Sequence, residues 1–537
     1  MSQDLVSPPA EVTRRYQELG YWKDETLGEW PSVVSDRGDR IALVTPDRRQ
    51  TFAELDLAAD RMAAGLRARG LRSGERVVVQ LPNTPEAVVL ALALFRLGAL
   101  PVFALPAHRE AEITHLVDTS EATTYVCPSE SLNAEYGRLA KEVAARCATL
   151  REVLVAGEAD SFETLDEVNA EPVELHRPDP LDVALFLLSG GTTGRPKLIP
   201  RTHADYAYQM RESARLCGFS PDSRYLAALP AAHNFALACP GVLGVLRIGG
   251  TAVLSPAPTP EVCFPLIEQA RVTATSLVPP LLALWLEATE WNDCDLSSLQ
   301  LLQVGGAKLD ADTARQVPTG LGCTLQQVYG MAEGLLNYTR LDDPWDVMCR
   351  TQGRPLSPAD EILVLRGDGR PAATGEPGEL LTRGPYTVRG YYRAPEHNQT
   401  RFTEDGYYRT GDLVTQSTGG NLEVVGRVND VVNRGGEKVP AQELEEHLGA
   451  DERIAAAAVV ALPDELMGEC TCACVVPRDA DNPPMLREVQ VALKARGLAA
   501  YKLPDRLVVR AELPLTAVGK FDKKALRAQV LEEDSAG

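Results

Sequence analysis

The sequence predicts an α/β fold, with a large N-terminal domain that contains several sheets and a small α+β C-terminal domain. The chain has 537 residues, of which 45% are hydrophobic and 24% charged, and this is the composition of an ordinary globular protein. Short apolar runs alternate with segments of helix length, a rhythm typical of βαβ units with buried parallel strands. After about residue 425, this alternation gives way to a different sequence pattern, which indicates a domain boundary there.

The first clear elements are a strand at residues 76–81, which read RVVVQL, and a helix at residues 86–97. We expect an N-terminal domain of residues 1–428 and a C-terminal domain of residues 429–537, with a hinge near Asp430. Further strands are predicted at residues 124–127, 152–155, 185–188, 251–254, 301–304, 454–462 and 470–476, and further helices at residues 441–448 and 486–496.

The charge of the chain narrows the class of partner. Lys and Arg number 54 against 75 Asp and Glu, so the net charge is −21, which argues against a general binder of nucleic acid or anionic membranes. The longest apolar run, residues 87–95, is too short for a bilayer, which takes about 20 residues. No apolar stretch follows Arg14 and Arg15, so we see no export signal. We expect a soluble cytoplasmic protein with no nucleic-acid or membrane partner.

The 11 cysteines are scattered and form no CxxC pair, which argues against a disulfide framework and a structural zinc site. Cys470, Cys472 and Cys474 alternate at period two, so all three should face one side of a strand. Burial as small apolar residues is the favoured interpretation, and metal ligation is the alternative.

Residues 189–197 read SGGTTGRPK and follow the strand predicted at residues 185–188. Glycines let backbone N–H groups approach oxyanions, threonines add hydroxyl donors and Lys197 adds positive charge, which together favour phosphate binding. The loop is not a Walker A motif, because Arg195 stands where that motif has glycine and Leu198 follows the lysine. For the glycines alone, a plain flexible loop is the alternative. The expected nucleotide contacts here are Ser189, Gly190, Gly191, Thr192, Thr193, Gly194 and Lys197.

Four further motifs follow: YGMAE at residues 329–333, YRTGD at 408–412, GRVND at 426–430 and PLTAVGK at 514–520. With these motifs in order, the chain resembles the adenylate-forming superfamily of acyl-CoA synthetases, luciferases and adenylation domains of non-ribosomal peptide synthesis over essentially its whole length. The resemblance implies the acyl-adenylate synthetase fold with a mobile C-terminal domain, and it implies ATP and Mg²⁺ as cofactors.

The resemblance also implies roles for single residues. Asp412 and Arg427 would bind the ribose, and Glu333 would be the magnesium-associated glutamate. Lys520 would bridge the substrate carboxylate and the nucleotide, where a cation neutralises charge in the transition state. Ala332 stands where many members have Thr, which leaves one hydroxyl contact to the nucleotide open. The nucleotide site would be completed by Gly306, Tyr329, Gly330, Met331 and Ala332.

The family's reaction has two steps. A carboxylate attacks the α-phosphorus of ATP to give an acyl adenylate and pyrophosphate, and a thiol attacks the mixed anhydride after the C-terminal domain reorients. The resemblance implies that Asp430 is the hinge, that Lys438 lies on the face used in the second step and that His233 is catalytic. For His233 and His203, satisfied packing histidines are the alternative.

Residues 232–241 read AHNFALACPG and bear on the acid substrate. Amino-acid-activating members place an aspartate where this chain has neutral Asn234, so a buried ammonium would be poorly compensated. An asparagine can hydrogen-bond a phenolic hydroxyl, and the segment resembles that of stand-alone aryl acid AMP ligases acting on salicylate or 2,3-dihydroxybenzoate. Phe235 would flank the ring. The substrate pocket would be formed by Asn234, Phe235, Cys239, Gly305, Ala307 and Leu336.

Cys239 and Leu336 bear on the choice between these two acids. Dihydroxybenzoate ligases typically carry Ser and Val at these positions, whereas the salicylate branch resembles this chain at both. A thiol removes a partner for a 3-hydroxyl, and the extra methylene of leucine fills its space. We therefore favour salicylate over 2,3-dihydroxybenzoate and other ortho-hydroxy aryl acids, including pyridine analogues such as hydroxypicolinate.

The expected acceptor is the phosphopantetheine thiol of a separate aryl carrier protein, acting in trans in siderophore or peptide natural-product biosynthesis. Coenzyme A is the alternative acceptor. Two interpretations from other classes are an ATPase or kinase with P-loop-like chemistry, which would release ADP, and a catalytically silent aryl acid binder.

Overall fold

The computed structural model describes residues 4–29, 36–131, 134–158, 161–189, 196–434, 437–464, 468–496, 498, 502–516 and 519–536. The chain divides into two compact units. Unit 1 consists of Met1–Gly190, Arg195–Glu361 and Thr382–Tyr408, and unit 2 contains Ile362–Leu381 and Arg409–Gly537. The boundary predicted between residues 428 and 429 stays a prediction.

The helices are α1 Ala10–Glu18, α2 Phe52–Ala68, α3 Pro85–Leu97, α4 Glu110–Ser120, α5 Tyr136–Arg146, α6 His203–Leu216, α7 Asn234–Ala238, α8 Gly241–Arg247, α9 Pro260–Ala270, α10 Pro279–Ala288, α11 Ala311–Gly320, α12 Trp345–Arg350, α13 Pro395–Arg401, α14 Ala441–Gly449, α15 Leu486–Ala495 and α16 Lys523–Ala536. Short 3₁₀ helices lie at Leu165–Glu167 and Val428–Asp430.

The strands up to the nucleotide loop are β1 Ile41–Val44, β2 Arg49–Thr51, β3 Arg76–Val79, β4 Leu100–Phe103, β5 Thr124–Pro128, β6 Glu130–Ser131, β7 Ala134–Glu135, β8 Glu152–Ala156, β9 Glu163–Thr164 and β10 Val183–Leu188. They are followed by β11 Leu198–Thr202, β12 Arg224–Ala227, β13 Thr251–Leu254, β14 Ala274–Leu277, β15 Leu301–Gly305, β16 Thr324–Gly330, β17 Leu336–Tyr338, β18 Arg354–Pro355, β19 Glu361–Leu365 and β20 Gly378–Arg383. The last are β21 Tyr408–Gln416, β22 Leu422–Arg427, β23 Val431–Arg434, β24 Glu437–Pro440, β25 Ile454–Asp464, β26 Gly468–Pro477 and β27 Arg506–Val509.

Unit 1 contains two large, mostly parallel sheets. The first has the strand order β18-β17-β16-β15-β14-β12-β13-β1-β2 and is parallel from β16 to β1. The second has the order β11-β10-β4-β3-β5-β8-β9 and is parallel from β10 to β9. The α/β prediction is therefore confirmed, and the strands predicted in this part of the chain correspond to β3, β5, β8, β10, β13 and β15.

Helix α3 shows why the main core lies between the two sheets. Thr84 caps it by accepting a hydrogen bond from the Ala87 backbone N–H, Pro85 fills the first turn, and Gly98 ends it in the left-handed conformation. The helix is buried on almost every side because it packs with α2, α6 and α8 between strands of both sheets. Separate clusters cover the outer faces, so unit 1 is layered α-β-α-β-α.

Unit 2 contains a sheet of order β19-β20-β21-β22 and a second of order β24-β23-β26-β25, with β27 paired to β26. The helices and strands predicted between residues 441 and 496 are confirmed. Cys470, Cys472 and Cys474 lie buried on one face of β26 with Leu526 and Val530 of α16, which confirms their predicted shared face. Within the described ranges, no group of acidic, histidine or cysteine side chains is arranged to hold a metal ion.

A search of the described helices for a membrane span found none that is both long and apolar enough.

Candidate active site

Three neighbouring segments of the first sheet bring the predicted substrate residues of unit 1 to one edge. Strand β12 leads into the segment that contains Asn234, β15 ends at Gly305, and β16 ends at Gly330. These strands all run parallel through their neighbours β14 and β15, so their carboxyl ends meet at the same edge. Residues that are about 100 positions apart in the sequence are therefore brought to the same edge of the sheet.

Gly305 and Phe235 lie against each other at this edge. A Cβ atom at Gly305 would lie 3.2 Å from the Phe235 Cζ and 2.6 Å from the Val328 carbonyl oxygen, so a larger residue does not fit. Gly306 follows with φ +82°, a conformation that favours glycine, and leads to Ala307. Phe235 and Gly305, both predicted for the substrate pocket, are therefore in contact, and the prediction that Phe235 flanks the ring of the acid stays a prediction.

Helix α7 is short and is held at both ends. His233 caps it, because its Nδ1 accepts a hydrogen bond from the Phe235 backbone N–H at 3.3 Å. Gly241 follows with φ +62°, and a Cβ there would collide with the Ala236 carbonyl oxygen. A neutral His233 in this arrangement carries its proton on Nε2.

Asn234 is buried, and its amide orientation is defined by two donors from α6. Its Oδ1 accepts a hydrogen bond from the Tyr206 hydroxyl at 2.9 Å and another from Gln209 Nε2 at 3.2 Å. The amide NH₂ is therefore the part of Asn234 that can serve a ligand, and no described residue accepts a hydrogen bond from it. The sequence prediction named neither Tyr206 nor Gln209; the signal was polar residues on the buried face of a helix.

The Cys239 thiol is buried, and it makes polar contacts with other groups of the protein. It donates to the Asn234 backbone oxygen at 3.3 Å and accepts a contact from Gln209 Nε2 at 3.6 Å. Burial raises the pKa of Cys239 to about 12, so the thiol stays protonated. Leu336 is also buried, and its backbone N–H donates to the Tyr386 hydroxyl at 3.1 Å.

The predicted nucleotide loop is closed at its base by β10 and β11. The Ser189 hydroxyl accepts from the Lys197 backbone N–H at 3.0 Å, and the Ser189 N–H donates to the Lys197 carbonyl oxygen at 3.0 Å. Partial burial lowers the pKa of Lys197, the positive charge of Arg401 lowers it further and Glu333 opposes both. The predicted contacts Gly190, Gly191, Thr192, Thr193 and Gly194 lie outside the described residues.

Residues 329–332 span the end of β16 and the turn that follows it. The Met331 backbone N–H donates to the Leu335 carbonyl oxygen at 3.2 Å, and the Ala332 carbonyl oxygen accepts from Arg201 Nη1 at 3.1 Å. Gly330 has no room for a side chain, because a Cβ would lie 2.7 Å from the Leu335 carbonyl oxygen. Tyr329 pairs with Asn337 across β16 and β17. The turn that carries the predicted nucleotide contacts is therefore tightly constrained.

Glu333 is buried and its carboxylate is held in place. Oε1 accepts a hydrogen bond from the Tyr391 hydroxyl at 2.7 Å, and the Val388 backbone N–H donates to the Glu333 carbonyl oxygen at 2.8 Å. A carboxylate oxygen is the kind of ligand that Mg²⁺ prefers. The residues present therefore fit a magnesium ion bound with ATP. Tyr391 was not predicted from the sequence.

In unit 2, three of the predicted residues lie close together. Arg427 Nε lies 2.8 Å from Asp412 Oδ1, and the two residues are direct partners across β21 and β22. The pKa of Lys520 is lowered by desolvation and by the charge of Arg427, while Asp412 raises it. Much of the Lys520 side chain remains accessible to solvent, so this desolvation is partial.

The predicted hinge Asp430 ends a short 3₁₀ helix, and its Oδ2 lies 3.4 Å from Lys523 Nζ. The same ammonium group lies 2.8 Å from Glu445 Oε1. Lys438 lies on β24, with its backbone paired to Asn433 of β23.

His203 differs from His233 in its surroundings. It is buried at the start of α6, and its Nδ1 accepts a hydrogen bond from the Leu27 backbone N–H at 3.1 Å. Burial lowers the pKa of His203 to about 4, so the ring is neutral at physiological pH. These contacts are those of a satisfied packing histidine.

Comparisons with known proteins identify the family of this chain. The family model described as AMP-binding enzyme matches residues 31–392, and that of the AMP-binding enzyme C-terminal domain matches residues 443–520. The chain is 50% identical to the 2,3-dihydroxybenzoate-AMP ligase of Bacillus subtilis over 98% of both chains. It is 46% identical to the salicyl-AMP ligase / salicyl-S-ArCP synthetase of Mycobacterium tuberculosis, over 98% of this chain and 94% of that protein.

Solved structures show the same relationship. The apo structure of Mycobacterium smegmatis MbtA is 48% identical, covers 98% of this chain and 99% of that one, and superposes with a TM-score of 0.77. ATP-bound MatB from Rhodopseudomonas palustris is 27% identical and gives a TM-score of 0.84 over 94% of this chain and 99% of that one. The chain therefore belongs to the AMP-binding enzymes of the adenylate-forming superfamily, in their branch of AMP-forming aryl acid ligases.

Proposed function

We propose that this enzyme adenylates salicylate with ATP and then transfers the aroyl group to the phosphopantetheine thiol of a separate aryl carrier protein. The observation that carries the proposal is the orientation of Asn234. Its amide oxygen is occupied by Tyr206 and Gln209, so the NH₂ group is available to donate to an ortho oxygen on an aromatic acid. The neutral amide offers no charge to pair with an α-ammonium group.

The surroundings of Cys239 favour salicylate over 2,3-dihydroxybenzoate. The thiol already donates to the Asn234 backbone oxygen, and Leu336, the other residue on which the choice of acid was predicted to depend, is buried. A 3-hydroxyl would then be desolvated without a strong partner, at a cost of about 1 to 3 kcal/mol. Overall sequence identity does not distinguish salicylate from 2,3-dihydroxybenzoate as the substrate, because relatives named for either acid are similar to this chain.

In the first half-reaction, the aryl carboxylate attacks the α-phosphorus of ATP, and pyrophosphate leaves. We assign the ribose to Asp412 and Arg427, and neutralisation of charge at the carboxylate and α-phosphate to Lys520. His233 Nε2 would donate to an oxygen of the reacting groups. Glu333 would hold a magnesium ion, which supplies charge neutralisation on the phosphates when bound.

In the second half-reaction, a thiolate attacks the carbonyl carbon of aroyl-AMP and AMP leaves. We assign Lys438 to this step and Asp430 to the reorientation between the steps. A carrier acceptor is supported by the relative named salicyl-AMP ligase / salicyl-S-ArCP synthetase. A Streptomyces relative that is 48% identical is named salicylyl-CoA synthase / salicylate adenylyltransferase. Coenzyme A is therefore the acceptor against which a carrier protein should be compared.

Pyrophosphate exchange into ATP tests the proposed substrate. The purified chain is incubated with salicylate, 2,3-dihydroxybenzoate, 3-hydroxypicolinate or benzoate, and kcat/KM is compared. We expect salicylate to give the highest value. A maximum with 2,3-dihydroxybenzoate would refute the assignment to Cys239 and Leu336, and no exchange with any aryl acid would refute the proposed function. Loading of a holo-carrier protein against free coenzyme A then tests the acceptor.

A further inference from the structure

A buried chain of hydrogen bonds leads from Arg201 to the substrate face of Asn234. Arg201 is fully buried, and its Nη2 donates to Gln209 Oε1 at 3.0 Å. Gln209 Nε2 in turn donates to Asn234 Oδ1 at 3.2 Å. All three residues lie in unit 1, and neither Arg201 nor Gln209 belongs to the substrate or nucleotide contacts described above.

The direction of these hydrogen bonds is fixed by chemistry. A guanidinium group can only donate, so Gln209 must turn its oxygen toward Arg201 and its NH₂ toward Asn234. The Ala238 carbonyl oxygen can only accept, and it receives a hydrogen bond from the same Gln209 nitrogen at 3.1 Å. A reversed Gln209 would face like groups on both sides. The Tyr206 hydroxyl could serve either orientation of Asn234, so Gln209 is the residue that sets it.

Arg201 is itself held rigidly. Its Nε donates to Asp205 Oδ1 at 2.8 Å, and its guanidinium lies 4.8 Å from the centre of the Tyr206 ring. Asp205 also accepts from the Thr202 backbone N–H at 2.7 Å, as part of the capping box of α6. The chain of donors therefore starts from a charged group that cannot reverse and is not free to move away.

We propose that Arg201 and Gln209 are positioning residues that force Asn234 to present a hydrogen-bond donor to the ortho substituent, and thereby select ortho-hydroxy over ortho-amino aryl acids. This inference rests on the proposed function. In salicylate the hydroxyl proton bonds internally to the carboxylate, which leaves the hydroxyl oxygen as an outward acceptor for the Asn234 NH₂. In anthranilate one amino hydrogen bonds internally and the other points outward, so two donors would face each other.

Substitution Gln209→Glu reverses the chain while nearly preserving shape. The new carboxylate accepts from Arg201 with one oxygen and presents its second oxygen to Asn234, so the Asn234 NH₂ should turn toward that carboxylate and Tyr206. The pocket would then present the Asn234 oxygen, which accepts from an amino group. We expect the salicylate-to-anthranilate ratio of kcat/KM in pyrophosphate exchange to fall at least tenfold, with benzoate, which has no ortho substituent, changed less than threefold.

The controls separate selection from stability. Gln316→Glu makes the same charge change on the exposed surface of α11 and should leave all three acids at wild-type values. Gln209→Met neither donates nor accepts strongly, so it should lower the salicylate-to-benzoate ratio of kcat/KM without favouring anthranilate. Thermal unfolding shows whether each variant is folded, and Gln209→Met provides the test if Gln209→Glu is not. An equal loss for all three acids, or an unchanged ratio in a folded variant, would overturn the proposal. A wild-type enzyme inactive with every aryl acid would instead overturn the proposed function.

Discussion

Arg427 and Asp412 face each other across strands β21 and β22, with Nε 2.8 Å from Oδ1. Asp412 is nearly buried, whereas Arg427 is partly exposed. The ion pair holds the carboxylate in one orientation, and a carboxylate so held can accept two hydrogen bonds from a ribose. The ion pair therefore supports the ribose-binding roles that the sequence motifs suggest for Asp412 and Arg427.

Removing the charge of Asp412 should weaken the use of ATP. Asp412→Asn keeps the size of the side chain and one acceptor oxygen but loses the other, and a hydrogen bond to a charged acceptor contributes about 1.5 to 3 kcal/mol. We expect kcat/KM for ATP to fall roughly ten- to hundredfold, while the KM for salicylate changes little. Steady-state pyrophosphate exchange measures both, and Glu404→Gln, an exposed acidic residue, is the control. A normal ATP dependence in Asp412→Asn would contradict the ribose assignment.

Enlarging the pocket and supplying a hydroxyl should admit a 3-hydroxyl group. The double variant Cys239→Ser, Leu336→Val replaces the thiol by a stronger hydrogen-bonding group and removes one methylene. Satisfying a hydroxyl otherwise buried without a partner is worth about 1 to 3 kcal/mol, so the ratio of 2,3-dihydroxybenzoate to salicylate use should rise roughly five- to hundredfold. The ratio comes from kcat/KM values for the two acids. A ratio that does not move would show that other residues discriminate between them.

Asp360 should make stability depend on pH. Its Oδ2 accepts a hydrogen bond from the Tyr386 hydroxyl at 2.6 Å, and that hydroxyl in turn accepts one from the Leu336 backbone N–H. The Oδ1 of Asp360 is buried and has no hydrogen-bond partner among the described residues. Burial raises the pKa of Asp360 from 3.8 to about 7. The folded state therefore binds more protons than the unfolded state between these values, and stability falls as pH rises through this range.

The variant Asp360→Asn isolates this effect because it does not titrate. Between pH 4.5 and pH 7.5 the wild type should lose about 3 kcal/mol of unfolding free energy relative to the variant. Urea unfolding of both proteins across this range gives the difference, which removes opposing contributions such as that of His203. A difference independent of pH would mean that Asp360 ionises normally in the folded protein.

The fold was predictable because its strands are buried parallel runs, which stand out as continuous apolar segments separated by helices. The roles of the candidate site residues stay predictions, but those that stand in short motifs, such as Asn234 and Glu333, were identifiable from the sequence. The residues behind the motifs were not, because Arg201, Gln209 and Tyr391 act through contacts that only the packing of α6 and the later strands creates. Polar residues on the buried face of α6 were the available signal, but a periodic pattern does not say which group each one contacts.

The measurement that tests the account most directly is the formation of salicyl-AMP by the wild type and by Lys520→Ala. Enzyme, ATP and salicylate are mixed with pyrophosphatase and no thiol, and the adenylate is quantified over time by mass spectrometry. Lys524→Ala removes an exposed lysine of the same unit and serves as the control. We predict that Lys520→Ala lowers the rate about 10² to 10³-fold, the usual effect of removing one donor from a developing negative charge, while Lys524→Ala matches the wild type. Wild-type rates of salicyl-AMP formation in Lys520→Ala would contradict the proposed chemistry.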